Sequence, residues 1–237
     1  MSTIFRFKQF DVEQKGAAMK IGTDGILLGA WTPLDPSISS ILDIGSGTGL
    51  LGLMLAQRSS VETIDAIEID GNAYEQTVDN FEASPWNDRL FCYHASFAEF
   101  VDEIDQQYDL LISNPPFFKN TFKTNESSRN LARFQDALPF EELLAGANNL
   151  LKKEGKLFLI IPYYEEEEVV ETAKKNYLFP EKITRVKGNP TAAFKRSLIF
   201  FGRKKVSFAE NELFIEYERH QYSESYRELT KNFHTIF

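Results

Sequence analysis

The chain predicts a doubly wound α/β fold: a seven-stranded, mostly parallel sheet with an antiparallel strand at its edge and helices on both faces. Three observations carry this reading. From about residue 39, short apolar runs alternate with segments of helical spacing, and that alternation implies parallel strands joined by crossover helices. A glycine-rich turn joins the first such run to the first such helix. The last two apolar runs lie close together in sequence, which suits an antiparallel hairpin at the sheet edge.

The elements follow in order. "SSILDIG" is a strand ending in Asp and Gly, and "TGLLGLMLAQR" continues as a helix. "ETIDAIEID" is the second strand, and "NAYEQTVDNFEAS" the next helix. "RLFCYHA" and "YDLLISN" read as the third and fourth strands. "FEELLAGANNLLKKEG" is a helix with Gly155 at its end. "KLFLIIP" is the fifth strand, "EEEEVVETAKKN" a helix, and "EKITRVKG" with "KRSLIFFGR" the final pair. The tail "YSESYRELTKNFHTIF" reads as a short helix ending in aromatics. No repeat or low-complexity linker divides the chain, so residues 1–237 are expected to be a single domain. Residues 1–38 are a lead-in packing on the core, and 117–138 is a segment long enough to suggest a functional loop.

Composition sets the outer bounds. With 237 residues, 43% of them hydrophobic, and 21 Phe, the chain has ample core material. No apolar run reaches the roughly 20 residues of a membrane span. The start, "MSTIFRFKQFDVEQKG", lacks the apolar stretch of a secretory signal. One cysteine, Cys92, excludes an internal disulfide framework, and with three scattered His no metal site is expected. A cytoplasmic monomer is the expectation. The net charge of −9 disfavours nonspecific contact with nucleic acid but leaves room for a local basic surface.

The first chemical signal is "ILDIGSGTGLLGLMLA", with Gly45, Gly47 and Gly49 between strand and helix. Glycine there permits positive φ and close approach of a ligand to the backbone, and the helix beyond offers free N–H groups. Asp43, just before the turn, suits a cationic partner better than a phosphate. Glu68, with Ile69 and Asp70 at the end of the next strand, can accept hydrogen bonds from ribose hydroxyls. A nucleoside pocket follows. A dinucleotide dehydrogenase is the rival, but its fingerprint is G-x-G-x-x-G, whereas this chain reads G-x-G-x-G.

That spacing, with Asp43 before it, resembles the first motif of class I S-adenosylmethionine-dependent methyltransferases, which have a Rossmann-like fold. The resemblance supplies S-adenosylmethionine as the cofactor. It implies cofactor contacts from Asp43, Gly45, Gly47, Gly49, Glu68 and Ile69. Ser96 stands where relatives carry an acid toward adenine. The segment "QKGAAMKIGTDGILLGAW" matches the part that folds over the methionine end of the cofactor, with Lys20, Thr23 and Asp24 as its contacts. Thr23 and Asp24 also suit a plain turn opening the helix "DGILLGAW".

The second signal is "ISNPPFFKN" at the carboxyl end of the fourth strand, the end where open parallel sheets bind ligands. Two prolines and the restriction they impose on the preceding residue make Asn114, Pro115 and Pro116 one stiff extended turn. Asn114 offers a side-chain carbonyl and Pro115 a backbone carbonyl. Two such acceptors suit a planar amine and favour the positive charge that grows on its nitrogen during methyl transfer. Phe117 gives a face on which a base can stack. The Asn-Pro-Pro-Phe signature resembles enzymes that methylate exocyclic or amide nitrogens, and these also place Asn114 near the cofactor.

The stretch "FRFKQFDVEQKGAAMKIGTDGILLGAW", "NPPFF" and the tail "YSESYRELTKNF" together resemble the bacterial tRNA1(Val) (adenine37-N6)-methyltransferase family over nearly the whole chain. The resemblance implies N6-methylation of the adenine beside the anticodon, with tRNA as partner. A protein glutamine, or an amino group of ribosomal RNA, is the alternative acceptor, and a non-catalytic RNA-binding module a third reading. After the motif, Phe118, Lys119, Lys123, Arg129 and Arg133 combine cations with aromatics as a candidate RNA surface. A second basic run, Lys195, Arg196, Arg203, Lys204 and Lys205, is read as a solvated edge.

Overall fold

A computed structural model describes residues 4–15, 20–116 and 138–235. A short hairpin, β1 (Ile4–Arg6) and β2 (Asp11–Glu13), precedes helix α1 (Thr23–Trp31). Alternation then begins with β3 (Ser40–Ile44), α2 (Leu50–Arg58), β4 (Thr63–Glu68) and α3 (Gly71–Glu82). It continues with β5 (Leu90–His94), α4 (Phe97–Glu103), β6 (Tyr108–Ser113), α5 (Phe140–Leu150) and β7 (Leu151–Pro162). Helix α6 (Glu166–Lys175) leads to β8 (Phe179–Lys187), β9 (Phe194–Gly202) and β10 (Ala209–Phe214). A small ribbon, β11 (Glu216–Glu218) with β12 (Gln221–Tyr222), and α7 (Glu224–Thr230) follow.

The doubly wound class is present, with two differences in detail. The sheet has eight strands, ordered β10-β8-β9-β7-β6-β3-β4-β5. The extra strand is β10, whose "AENELF" is mostly polar and exposed and gives no apolar signal. The antiparallel strand is not at the edge: β9 lies between β7 and β8 and pairs antiparallel with both. Its "SLIFFG" is mostly buried, in keeping with a place between two partner strands.

Side-chain alternation divides the core in two. Ile41, Leu110, Ile112, Phe158 and Ile160 face one cluster, with α1 and α2. Leu42, Ile44, Leu111, Leu157, Leu159 and Ile161 face the other, with α5 and α6. Residues of one strand two apart share a face, so Asp43 and Asn114 belong to the face of Ile41 and Ile112. Among the described residues no helix is long and apolar enough to cross a membrane, and no group of three or more His, Cys, Asp or Glu side chains can hold a metal ion.

The N-terminal hairpin is fastened by Asn80 of α3. Its Oδ1 accepts from the Glu13 N–H at 2.8 Å, and its Nδ2 donates to the carbonyls of Glu13 and Thr48 at 2.8 and 2.9 Å. One buried amide therefore joins β2 to the glycine turn. Asn80→Ala is expected to cost on the order of 2 kcal/mol and to speed hydrogen exchange at the Glu13 amide. Unaltered protection there would refute this fastening role.

Candidate active site

The two motif-bearing strands are neighbours at the centre of the sheet. β3 and β6 pair in parallel, with Asp43 opposite Ile112. One residue on, the Ser113 hydroxyl donates to the Ile44 carbonyl at 2.7 Å. The glycine turn and the Asn114 corner therefore leave the sheet at the same level.

The turn is held open by its backbone. Gly45, Gly47 and Gly49 have φ of +74°, +61° and +75°, a region costly for other residues. The N–H groups of Gly45 and Ser46 both donate to the Ile67 carbonyl at 3.0 Å, which ties the turn to β4. A Cβ added at Gly45 or Gly47 would meet nothing within 4 Å, so the cradle opens on free space there. A Cβ at Gly49 would stand 2.6 Å from Phe81 Cε1, so that glycine serves helix packing.

Glu68 ends β4 and is almost fully buried. Its Oε2 accepts from the Gly47 N–H at 2.8 Å, and its Oε1 from the Asp70 N–H at 3.0 Å. The neighbouring Ile69 is 44% exposed and offers an apolar face at this strand end. His94 Nε2 lies 3.0 Å from the Ile69 carbonyl, and the His94 ring stacks on Tyr74. Its role is to support this strand end. Cys92 is half-buried, and burial pushes its thiol up to about 12, so it is inert.

Asp43 carries the highest electrostatic cost of the site. It is fully buried. Its Oδ2 accepts from the Gly52 N–H at 3.3 Å, and its Oδ1 has no partner. Burial raises its pKa to about 7; the Gly52 N–H acts against this, and the charge of Glu68 adds to it. A buried carboxylate with an unsatisfied oxygen is stabilised by a cationic ligand. The open cradle, the ribose-competent Glu68, the exposed Ile69 and this carboxylate together fit S-adenosylmethionine.

At the corner, Asn114 is half-buried and Pro115 buried. A Cβ added at Gly25 would lie 3.9 Å from Asn114 Nδ2 and 3.0 Å from Leu50 Cδ2. The first turn of α1, the start of α2 and the corner therefore converge. Lys20 and Thr23 are exposed at this entrance, and Gly22 is the N-cap of α1. Asp24 lies in the first turn and is held by Arg196, whose Nε donates to Oδ2 at 2.7 Å. Sequence reasoning missed this pair, because its partners are far apart along the chain: Asp24 reads toward the cofactor and Arg196 as part of a solvated edge. Ser96 caps α4: its hydroxyl donates to Glu99 Oε2 at 2.7 Å and accepts from the Glu99 N–H at 3.2 Å. That cap competes with any contact to adenine. Phe117, Phe118, Lys119, Lys123, Arg129 and Arg133 lie outside the described residues.

A sheet of this order, with an open glycine cradle facing an amide–proline corner at its carboxyl rim, defines a class I S-adenosylmethionine-dependent methyltransferase. Comparison with known proteins agrees. The methyltransferase small domain family matches residues 25–172. A solved structure, a predicted O-methyltransferase from Agrobacterium tumefaciens, superimposes with a TM-score of 0.68 at 19% identity, over 89% of this chain and 96% of that one. The tRNA1(Val) (adenine(37)-N6)-methyltransferase of Flavobacterium psychrophilum is 57% identical over 98% of this chain and 99% of its own. Its counterpart from Flavobacterium johnsoniae is 56% identical, with the same coverage. The chain belongs to the tRNA1(Val) (adenine(37)-N6)-methyltransferase family.

The raised Asp43 pKa has a definite sign. Below its ordinary value of 3.8 the carboxyl is protonated in both folded and unfolded chains. Between there and about 7 the unfolded chain releases its proton while the folded chain keeps it. Stability is therefore lost as pH rises through this window. Asp43→Asn is expected to melt several degrees above the unsubstituted protein at pH 8 without cofactor, with the gain fading toward pH 4.5. The same substitution is expected to weaken S-adenosylmethionine binding. Melting curves at both pH values and calorimetric titration check this, and a pH-independent gain would contradict it.

Proposed function

We propose that this protein methylates N6 of adenine 37 in tRNA1(Val), using S-adenosylmethionine. The observation that carries this is the shared level of the glycine cradle and the Asn114 corner on adjacent central strands. The acceptor follows from the relatives named above. When bound, the cofactor supplies a methyl group on a positively charged sulfur, which needs no strong base in the protein.

In this reading Glu68 receives the ribose hydroxyls, Gly45 and Gly47 let the cofactor approach the backbone closely, and Ile69 covers the adenine ring. Asp43 compensates positive charge from beneath. Lys20 and Thr23 are assigned to the methionine end, with Asp24, which Arg196 orients. Asn114 Oδ1 and the Pro115 carbonyl accept the two hydrogens of the target amine. They are fixed before reaction, so positive charge on that nitrogen is stabilised without reorganisation of the site. Pro116 stiffens the corner and Phe117 stacks on the base. Residues 1–38 cover the cofactor, and 117–138 contact RNA through Phe118, Lys119, Lys123, Arg129 and Arg133. An anticodon-loop base is already poorly paired, so extruding it costs less than opening a duplex.

Asn114→Ala is expected to keep S-adenosylmethionine affinity and to lose turnover by roughly 10²–10³-fold, the range for loss of one preorganised polar group. Mass spectrometry of nucleosides from unmodified tRNA1(Val) after incubation measures it. Undiminished N6-methyladenosine from the variant would disprove the amine clamp. No N6-methyladenosine from the unsubstituted protein would disprove the acceptor.

A further inference from the structure

The basic run from Lys195 to Lys205 is not one surface, because β9 carries its two halves to opposite ends of the sheet. At the far end Arg203 is consumed by the fold. It donates to the carbonyls of Asn148, Leu151 and Lys152 and to the Asn148 side chain. Lys204 pairs there with Glu154 at 2.6 Å. Lys195 and Arg196 lie at the other end. Since β9 is antiparallel to β7, its beginning stands at the carboxyl rim, where Arg196 pairs with Pro162. That is two strands from β6 and the Asn114 corner, roughly 10 Å at the usual strand spacing.

Aromatic side chains are gathered at this rim. Tyr163 and Tyr164 follow Pro162 and are 39% and 54% exposed. The Tyr163 and Phe194 rings lie 5.3 Å apart. Lys187 Nζ stands 5.1 Å from the Phe194 ring centre, and the Arg185 guanidinium 6.0 Å from that of Tyr163. Lys195 is exposed and has no acidic partner among the described residues. Tyr163 and Tyr164 thus present aromatic surface at the same rim as the Asn114 corner.

Arg185 is shared by two acids: it reaches both carboxylate oxygens of Glu166 from Nε at 3.0 Å and Glu210 from Nη2 at 2.8 Å, while Glu166 also accepts from the Ser197 hydroxyl and Lys187 pairs with Glu212 at 3.0 Å. Glu168 turns to the groove between α5 and α6, with Glu141 and Glu171. Arg185 and Lys187 are thus engaged by acids of α6 and β10, whereas Lys195 at the start of β9 has no acid paired to it among the described residues.

We propose that Tyr163 and Lys195 form a subsite for a nucleotide flanking the target base in single-stranded RNA. Tyr163 is the stacking face, Phe194 supports it from behind, and Lys195 meets the adjoining phosphate. The proposal rests on the RNA reading above. It adds a contact outside the catalytic corner that selects an unpaired loop over a duplex.

The test uses the full chain with S-adenosylhomocysteine, a fluorescent RNA hairpin of anticodon-loop type and a fully duplex RNA of equal length. Fluorescence anisotropy is followed across a range of salt. Tyr163→Ala is expected to weaken hairpin binding about tenfold, within the range of one base–aromatic stack, and Tyr163→Phe to preserve it. Lys195→Ala is expected to reduce the slope of log Kd against log salt by about 0.7–0.9. Cofactor affinity, measured by calorimetry, stays unchanged in all three. If the unsubstituted protein binds the hairpin and both alanine variants bind it equally well, the subsite is wrong and the RNA reading stands. An equal loss on duplex RNA for Tyr163→Ala also overturns it, since stacking requires an unpaired base. If the unsubstituted protein binds cofactor but no RNA, the RNA reading fails and the subsite with it.

Discussion

The hydrogen bond from Ser113 to the Ile44 carbonyl is the constraint on which the site depends. It joins the last residue of one parallel strand to the last residue of its neighbour. Beyond it, the two chains diverge: one enters the glycine turn, the other the diproline corner. Neither segment can change its height above the sheet without breaking a buried bond between strands that are themselves buried on both faces. Methyl transfer demands that donor and acceptor atoms be held in line. The fold meets that demand with adjacent strand ends in fixed register.

The site is made of groups that the fold alone would not choose. Asp43 has a buried oxygen without a partner. Ile69 is exposed where most apolar residues of the core are covered. The three glycines hold conformations that other residues resist. The buried carboxylate is unfavourable in the free protein and would be relieved by a ligand with a cationic end, whereas positive φ costs glycine little and leaves the turn open to an approaching group. The surrounding structure tolerates that cost because its polar groups are well fastened. Asn80 secures the turn from beneath, and Glu68 ties Gly47 and Asp70 to one carboxylate.

What the sequence made legible was local. The glycine turn after β3, Glu68 at the end of β4 and the asparagine–diproline corner after β6 each announce themselves within a few residues. Strand alternation gave the doubly wound class for the same reason, since strand and helix periodicities are short-range patterns. The rest depended on pairing between distant residues. The place of β9 between β7 and β8 is decided by burial on both faces, and its apolar run reads equally well at an edge. β10 joins the sheet with a polar sequence because it fills an exposed edge. The run from Lys195 to Lys205 looked continuous because sequence proximity conceals the length of a strand. Ser96, assigned toward adenine by resemblance, also caps α4, and its partner Glu99, only three residues on, could have been recognised as a capping box.

The Asp24–Arg196 pair links these levels. Both side chains are about one-third exposed, so solvent screening leaves the pair a small contribution to stability, within about 1 kcal/mol. Its consequence is geometric. Asp24 stands in the first turn of α1, beside the Asn114 corner, and Arg196 begins the reversed strand of the rim. A single charge pair thus bridges the side of the cleft assigned to the cofactor and the side assigned to RNA. Because β9 runs against its neighbours, the sheet can present an arginine at the end where every other strand presents its carboxyl terminus. A parallel strand in that place would have put its own last residues, and not its first, against α1. The reversed strand, which sequence reasoning placed at the edge, thus carries Arg196 to the contact shared by the cofactor side and the substrate rim.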